Sequence, residues 1–512
     1  MTPSILYPDG ARESPSPLQD RQFAVDLNLD QVFASVCEGR EQLDLLSLFY
    51  SPLHDVDSVV YRHQVIADLE RPQVLAAVQS FGHGMRQVRE LLRSMRSLHN
   101  HWQQRRLFID AVSAYCDAVG SLTDKLVRMG PASRGLDAFT KYLSAYRSSA
   151  GFTSLAEDAG VVLSALAQIR YTLHIKGTRV AVSQYLGEPD YAQEVETIFA
   201  KFREMPAREF LATFRNTLDM DPVEGQILDR VARLNPGPFG ALDRYFQAHR
   251  DFFDSGVTAF DRDAQFYLAY LGHIAPLRSS GLPFCYPHLS DRPSSSRVKA
   301  VFDLALADKV NQPGSSRPNV VTNDLHLGPN ERIVVVTGPN SGGKTTFARA
   351  LGQVHYLASL GLLVPANEAD LVLADAVFTS FGQEEQLGTP RSHLEDELVH
   401  LHEVIAQASP RSVVVMNESF SSTTLRDAAV LGRSVLAQLL ESGSLCIYVT
   451  FVDELAEANG ETVSMVVTVH PEDPVLRTYK VVRKPPEGLA YAAALAERYG
   501  LTYGAVQERV GQ

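Results

Sequence analysis

The chain has few cysteines, no long apolar run and no excess of basic charge. Its four cysteines are far apart and form no Cys-x-x-Cys pair, which speaks against a disulfide framework or a zinc site and favours a reducing cytoplasm. No stretch of about 18 apolar residues occurs, so we expect no membrane span. The formal net charge is −13, so any contact with nucleic acid must depend on a local group of basic side chains.

The composition changes along the 512 residues, which are too many for a single hydrophobic core. Residues 1–26 are rich in Pro and Ser, and we predict that they form a disordered tail. Residues 27–280 contain little Gly and Pro, and their apolar side chains recur at three- and four-residue steps, which predicts long helices. Apolar residues alternate on both sides of Lys176-Gly177 and predict a small β-hairpin at about 170–186.

Residues 281–512 show the pattern of an α/β domain. Short continuous apolar runs begin at Ile333, Val413 and Leu445, as is typical of strands buried on both faces of a parallel sheet. Segments with helical periodicity lie between these runs. The fold class predicted is therefore multidomain, with an α-helical N-terminal half that carries a small β-hairpin, followed by an α/β domain with a mainly parallel sheet.

A phosphate-binding motif, G-x-x-x-x-G-K-[ST], lies between a predicted strand and a predicted helix. Its glycines would let backbone N–H groups face phosphate oxygens at the positive end of the helix dipole. The Lys344 ammonium would reach the β- and γ-phosphates of ATP, and the Thr345 hydroxyl would bind Mg²⁺. The predicted nucleotide-binding residues are Gly338, Pro339, Asn340, Ser341, Gly342, Gly343, Lys344, Thr345 and Thr346.

A second predicted strand ends in Asn417 and Glu418, within VVVMNES. In P-loop ATPases an Asp usually ends this strand and holds Mg²⁺ through water, and another side chain orients the attacking water. Glu418 is the candidate base, and an incidental Glu after a structural strand is the alternative. Asn417 can still accept a hydrogen bond from a metal-bound water but adds no negative charge, so we expect weak Mg²⁺ binding.

Several motifs resemble those of the MutS family, the ATPases of mismatch repair and recombination. The family's P-loop is similar to TGPNSGGKTT, and the segment after its P-loop helix is similar to LASLGLLVPA. Two later family motifs resemble VFTSFGQEEQLGTPRSHLEDEL and MNESFSSTTLRDA, and the closing strand and helix resemble RTYKVV and GLAYAAALAERYGL. The start of the family's helical core and lever resembles LFYSPLHDVDSVVYRHQVIADL.

The resemblance implies an ABC-type P-loop ATPase domain at 281–512 and a MutS core and lever at 27–280. It also implies the cofactors ATP and Mg²⁺, and a homodimer in which the partner subunit closes each nucleotide site. Ser392 matches the serine that reaches the γ-phosphate in trans, although Glu395 three residues on also fits a helix capping box. Asp427 matches an aspartate that communicates between the sites, and an acidic residue at a helix N-terminus is the alternative.

Three positions depart from the family pattern. Asn417 replaces an Asp, Phe451 takes the place of a His that senses the γ-phosphate, and Val320 stands where an aromatic side chain stacks on adenine. Each departure predicts weaker nucleotide binding and slow ATP hydrolysis, so that the site would mainly switch. The helical core begins soon after the tail, so the resemblance is to a short form without the N-terminal mismatch-reading domain.

Two groups of basic side chains are candidates for contact with DNA phosphates. One group falls on a single face of a predicted helix and the other lies at the hairpin tip, where a solvated helix face and a surface turn are the alternatives. The candidates are Arg86, Arg89, Arg93 and Arg96 on the helix, and Lys176 and Arg179 at the tip.

The predicted function is ATP-gated binding and handling of DNA, related to mismatch repair or recombination. Closure of a dimer interface on ATP would move the helical lever, and duplex, branched or damaged DNA would be bound. The alternative is a nucleotide-dependent scaffold that binds an unknown protein partner and has no direct role with DNA. The net charge of −13 favours this alternative.

Overall fold

A computed structural model describes residues 2–8, 21–188, 220–292, 295–311, 320–382, 393–457, 460–470, 476–486, 501 and 507 of the chain. Helices make up most of the described N-terminal half, and two sheets with flanking helices make up the C-terminal half. This arrangement confirms the prediction of a helical half followed by an α/β half. In the described part of the chain, no helix is long and apolar enough to cross a membrane.

Most helices of the N-terminal half pack their apolar stripes into one large core, whereas the helix Pro222–Leu234 packs on a separate small cluster. The helices of this half are α1 (Gln22–Asp26), α2 (Leu29–Cys37), α3 (Leu45–Phe49), α4 (Val56–Leu69), α5 (Pro72–Ser97), α6 (His101–Met129), α7 (Arg134–Arg147), α8 (Ala150–Ala167), α9 (Pro222–Leu234), α10 (Pro236–His249) and α11 (Ser255–Ser279). A short 3₁₀ helix, Glu41–Leu43, lies between α2 and α3.

Local signals account for the ends of the two longest helices, α5 and α6, which pack against each other. Helix α5 begins with Pro72, whose missing N–H costs no helical hydrogen bond in the first turn. Helix α6 begins after Asn100, whose side chain accepts hydrogen bonds from the first backbone N–H groups, and it ends at Gly130 in a left-handed conformation. A Cβ atom at Gly84 would lie 2.9 Å from the Cβ of Ala118, so the two helices approach closely there.

The predicted hairpin is present. Strand β1 (Tyr171–Lys176) pairs antiparallel with β2 (Arg179–Gln184), and Lys176 stands opposite Arg179 at the turn. Gly177 supplies the left-handed turn residue, with φ of 60°. Val182 packs on a small cluster that includes residues of α9, while the tip is exposed to solvent.

The larger sheet of the C-terminal half has six strands in the order β12-β11-β6-β10-β9-β8. Neighbouring strands are parallel except for the antiparallel pair β11–β12, which confirms the prediction of a mainly parallel sheet. Its strands are β6 (Ile333–Thr337), β8 (Val377–Phe381), β9 (Val413–Asn417), β10 (Leu445–Val449), β11 (Thr462–Val469) and β12 (Arg477–Arg483). The helices of this half are α12 (Leu304–Val310), α13 (Lys344–Ser359), α14 (His393–Gln407) and α15 (Leu425–Ser442).

A second sheet of four strands was not predicted from the sequence. Its order is β3-β7-β4-β5, and it mixes parallel and antiparallel pairs. The strands are β3 (His288–Ser290), β4 (Ser296–Val301), β5 (Asn323–Leu327) and β7 (Glu368–Val372). Side chains in β4 and β5 alternate between buried and exposed, as in a sheet with one face on the core.

The prediction of a disordered tail at 1–26 is wrong for its first described residues. Ile5, Leu6 and Tyr7 are buried, and the Tyr267 hydroxyl donates a hydrogen bond of 2.7 Å to the carbonyl of Ile5. Burial of these apolar side chains offsets the entropy lost when the segment becomes ordered. The surrounding Pro and Ser residues obscured this short apolar run, and α1 already begins at Gln22 within the predicted tail.

Helix α13 joins the two halves, and the largest of three hydrophobic clusters in the described residues extends across both. The Arg349 Nε donates a hydrogen bond of 2.7 Å to the carbonyl of Asp26, and the Gln353 Nε2 donates one of 2.8 Å to the carbonyl of Leu27. Just beyond α13, the carbonyl of Leu360 accepts a 2.7 Å hydrogen bond from Nη1 of Arg62, a fully buried side chain of α4. The helix after the glycine-rich loop therefore contacts the N-terminal helices directly.

Candidate nucleotide-binding site

The loop between β6 and α13 is a tight turn whose glycines are favoured either by backbone conformation or by close packing. Gly338 and Gly343 adopt φ of 124° and 98°, which favour glycine. A Cβ atom at Gly342 would lie 2.7 Å from Cγ1 of Val467 and 2.9 Å from the carbonyl oxygen of Pro339. The backbone can therefore approach a ligand closely, as phosphate binding requires.

A cavity of about 430 Å³ opens beside this loop. Its volume lies within the range of roughly 300–1,000 Å³ that is usual for small-molecule sites. One wall consists of the loop and the first turn of α13, and Glu418 lies at the same end. The other walls are mainly apolar, with Val320 and residues of α12 among them. The cavity thus suits a ligand with an anionic end and an apolar end.

Lys344 is buried at the polar end, where only 5% of its surface is exposed. Its Nζ donates hydrogen bonds to the carbonyls of Gly338 (2.9 Å) and Pro339 (3.3 Å) and to Oδ1 of Asn340 (3.2 Å). Burial lowers the pKa of Lys344, and the nearby charge of Glu418 opposes this change. All three acceptors are neutral. An anion in the cavity would therefore supply the negative charge that the Lys344 ammonium needs as a partner.

The two residues predicted to hold Mg²⁺, Thr345 and Asn417, contact each other, and Thr345 lines the cavity. The Thr345 hydroxyl donates a hydrogen bond of 2.7 Å to Oδ1 of Asn417, at the end of β9. A hydroxyl and an amide oxygen are hard oxygen ligands that fit Mg²⁺, but neither carries charge. No cluster of three or more His, Cys, Asp or Glu side chains suited to a metal occurs within the described residues. Metal binding here would therefore depend on oxygens of the nucleotide.

Glu418 occupies a strained backbone position at the cavity wall. Its φ is 54° and that of Phe420 is 63°, and each non-glycine residue in this region costs about 1–3 kcal/mol. The N–H of Glu418 donates a hydrogen bond of 2.8 Å to the carbonyl of Val449 in β10. The N–H of Phe420 donates one of 3.0 Å to the Glu397 carboxylate, whose pKa is raised by burial. Glu397 of α14 thus fixes the turn that presents Glu418.

Glu397 and several other residues that shape the site could not be recognised from the sequence. Asp303, the N-cap of α12, accepts a hydrogen bond of 2.8 Å from Gln353, and burial raises the pKa of Asp303. Asn323 donates a hydrogen bond of 3.1 Å to the carbonyl of Tyr479, and both residues line the cavity. The only available signal for Glu397 was its position in RSHLEDE, and the other contacts join distant parts of the chain.

Two residues singled out in the sequence, Phe451 and Asp427, do not line the cavity. Phe451 is 45% exposed and does not line the cavity. Asp427 is exposed at the first turn of α15, where its N–H donates a hydrogen bond of 3.2 Å to the Thr424 hydroxyl, the arrangement of a helix N-cap. Ser392 lies outside the described residues. The proposed roles of Asp427 and Ser392 across a dimer interface stay predictions.

The candidate DNA contacts lie on the helical half. Arg86, Arg89, Arg93 and Arg96 all belong to α5, and Arg89 forms an ion pair with the buried Asp261 of α11. Lys176 and Arg179 are exposed cross-strand neighbours at the hairpin tip. The structure therefore places the basic residues on two separate elements.

Comparisons with known proteins agree with this geometry. Residues 334–505 match the family model of MutS domain V. The chain is similar to the protein named endonuclease MutS2 of Thermomicrobium roseum, with 26% identity over 94% of this chain and 60% of that protein. The MutS2 of Thermus thermophilus is 33% identical over 36% of this chain and 25% of its own length. The DNA mismatch repair protein MutS of Thermotoga maritima is 31% identical over 27% of this chain and 18% of its own length.

These similarities define the C-terminal part of the chain as a MutS domain V. The similarity to MutS2 extends over nearly the whole chain at 26% identity, and the match to the MutS family model covers residues 334–505. The chain spans between 18% and 60% of the length of the relatives named above.

Proposed function

We propose that the protein binds ATP with Mg²⁺ in the cavity beside the glycine-rich loop and hydrolyses it slowly. The supporting observation is the buried Lys344 ammonium, which has only neutral acceptors and faces a cavity of suitable size. Glu418 would act as the general base toward water, a role worth about 10²–10⁴-fold in rate. Asn417 is uncharged, and position 451 carries Phe where a His would sense the γ-phosphate. We therefore expect a low affinity for Mg²⁺ and slow hydrolysis of ATP.

The same proposal includes a link from ATP to DNA. The observation that carries it is the direct hydrogen bonding of α13 to the N-terminal helices, through Arg349 and Gln353. A ligand that shifts α13 must change these contacts, and the basic residues of α5 and the hairpin lie on that same half. We propose a core and lever at 27–280 and an ATPase domain at 281–512. In a homodimer, Ser392 would complete the nucleotide site across the interface and Asp427 would communicate between the two sites.

The names of the relatives, a mismatch repair protein and an endonuclease, favour a role in handling DNA during repair or recombination. A gel-shift titration with duplex, mismatched and branched DNA, with and without ATP and at two salt concentrations, tests this. We expect binding that weakens with salt and an affinity that ATP changes severalfold in the wild type but not in Lys344→Ala.

Failure to bind any of these DNA forms would overturn the DNA part of the proposal. Recovery of one stable protein partner by the same preparation, together with that failure, would favour the scaffold alternative. ATP binding by the wild type is measured separately. A failure to bind DNA therefore does not decide whether the protein binds ATP.

A further inference from the structure

A second cavity, of about 170 Å³, lies on the helical half and shares no lining residue with the nucleotide cavity. It is enclosed by α5, α11 and the turn after α2. Its charged and amide-bearing lining residues are Arg40, Gln42, Arg86, Arg89, Glu90, Arg93 and Gln265. Four guanidinium groups in one small cavity are unusual in a chain whose formal net charge is −13.

Two of these arginines are held in place by buried side chains of α11. Asp261, which is 2% exposed, forms an ion pair with Arg89. Gln265, which is 6% exposed, accepts a hydrogen bond of 3.2 Å from Nε of Arg40. Buried polar groups persist where such partners fix them. The cavity is therefore built into the packing of α5 and α11 and is more than a solvated helix face.

Gly82 of α5 leaves the space that Gln265 occupies. A Cβ atom at this position would lie 2.4 Å from Nε2 of Gln265. An alanine at position 82 would displace the end of the Gln265 side chain, and with it the acceptor that orients Arg40. This contact offers a way to disturb the cavity without changing any charge.

The positive charge of the cavity is only partly compensated. Within the described residues, Asp261 forms an ion pair with Arg89, and the charge of Arg86 also acts on Asp261 from beyond ion-pair distance. Arg93 forms no ion pair with a described residue. Glu90 and Asp261 together can balance only two of the four guanidinium groups. The remaining charge is held at a concave surface, where the field of several cations adds.

We propose that this cavity is a phosphate-binding site, separate from the glycine-rich loop. Guanidinium groups bind phosphate oxygens in pairs of parallel hydrogen bonds, which makes arginine the preferred residue for such sites. The volume of about 170 Å³ is below the roughly 300 Å³ at which sites for whole small molecules begin. The cavity therefore takes a phosphate or pyrophosphate group and excludes a whole nucleotide. The group can belong to a DNA backbone or to a free phosphate compound.

Titration of the full chain with pyrophosphate tests the proposal, in a Lys344→Ala background that removes binding at the glycine-rich loop. We expect Arg86→Gln and Arg93→Gln each to weaken pyrophosphate binding about tenfold, since a charge-assisted contact is lost. Arg128→Gln is the matched control, because Arg128 is an exposed arginine of the neighbouring helix α6 that neither lines the cavity nor is a candidate DNA contact. Gly82→Ala should weaken binding severalfold at unchanged net charge.

A second titration, with a short duplex DNA, identifies the source of the phosphate. Weaker duplex binding by Arg86→Gln and Arg93→Gln, with a salt slope reduced by about one, assigns the cavity to the DNA backbone. Unchanged duplex binding, with weaker pyrophosphate binding, assigns it to a free phosphate compound. The proposal is overturned if both variants bind pyrophosphate and duplex as tightly as Arg128→Gln does. It is equally overturned if the Lys344→Ala chain, shown to be folded by its thermal transition, binds neither.

Discussion

The substitution Asn417→Asp tests whether the lack of a carboxylate at position 417 limits the binding of Mg²⁺ and ATP. Asp has nearly the shape of Asn, so the acceptor for the Thr345 hydroxyl, now at 2.7 Å, is kept. Hydrogen bonds between neutral groups contribute about 0.5–1.5 kcal/mol and those to charged groups about 1.5–3 kcal/mol. The difference of about 1–1.5 kcal/mol predicts ATP binding about five- to tenfold tighter when Mg²⁺ is present.

The same substitution should act in the opposite direction without metal. A carboxylate at position 417 adjoins Glu418, and like charges at short range destabilise each other. Asn417→Asp should therefore lower the melting temperature in EDTA while it tightens ATP binding in Mg²⁺. Calorimetric titration of ATP in both buffers, with a melting curve in EDTA, measures the two effects. Asn417→Ala, which removes the acceptor, is the control and should bind MgATP more weakly than the wild type.

Tighter binding by Asn417→Asp in EDTA as well as in Mg²⁺ would refute this account, because the added charge would then not act through the metal. Unchanged binding in Mg²⁺ would also refute it. Phe451 or the dimer geometry would then be the feature that limits nucleotide binding.

Three further predictions concern single side chains. Glu418→Ala should lower ATP turnover by about 10²-fold or more and leave ATP bound, whereas Lys344→Ala should abolish binding; normal turnover by Glu418→Ala would rule out its role as base. Gly342→Ala should cost about 1–3 kcal/mol of stability, because its Cβ would overlap Val467, while Gly382→Ala, whose Cβ meets nothing within 4 Å, should melt like the wild type. Burial lowers the pKa of His355 to about 4, below its ordinary value of 6.5, so its contribution to stability is complete above pH 6.5 and is lost as the pH falls toward 4. Burial also lowers the pKa of His63 to about 4, and that contribution is the same in wild type and variant. Urea unfolding between pH 7 and pH 5 should therefore show a loss of stability that is smaller by about 2 kcal/mol in His355→Leu than in the wild type; an equal loss in the two proteins would contradict the assignment.

The parts of the fold that could be predicted are those set by short stretches of sequence. Continuous apolar runs identified β6, β9 and β10 as buried parallel strands, and alternation around Gly177 identified the hairpin. The glycine-rich loop could be located because its spacing encodes backbone geometry directly, and in the structure the Thr345 hydroxyl donates a hydrogen bond to Asn417.

The parts that could not be predicted depend on contacts between distant segments. Burial of Ile5, Leu6 and Tyr7 requires the surfaces of α4 and α11, which nothing near the N-terminus encodes. The contact of Glu397 with the turn after Glu418 arises in the same way, through the packing of α14. The arginine face of α5 was recognised, but its concave shape comes from α11 and the turn after α2.

The measurement that tests the central claim most directly is the affinity of the wild-type chain for ATP with and without saturating DNA. Linkage requires that DNA change the affinity for ATP by the same factor by which ATP changes the affinity for DNA. If ATP gates DNA binding, calorimetric titration in Mg²⁺ will show an affinity for ATP that DNA shifts severalfold, and Lys344→Ala will show no binding of ATP in either case. An affinity for ATP that is identical with and without bound DNA would contradict the account.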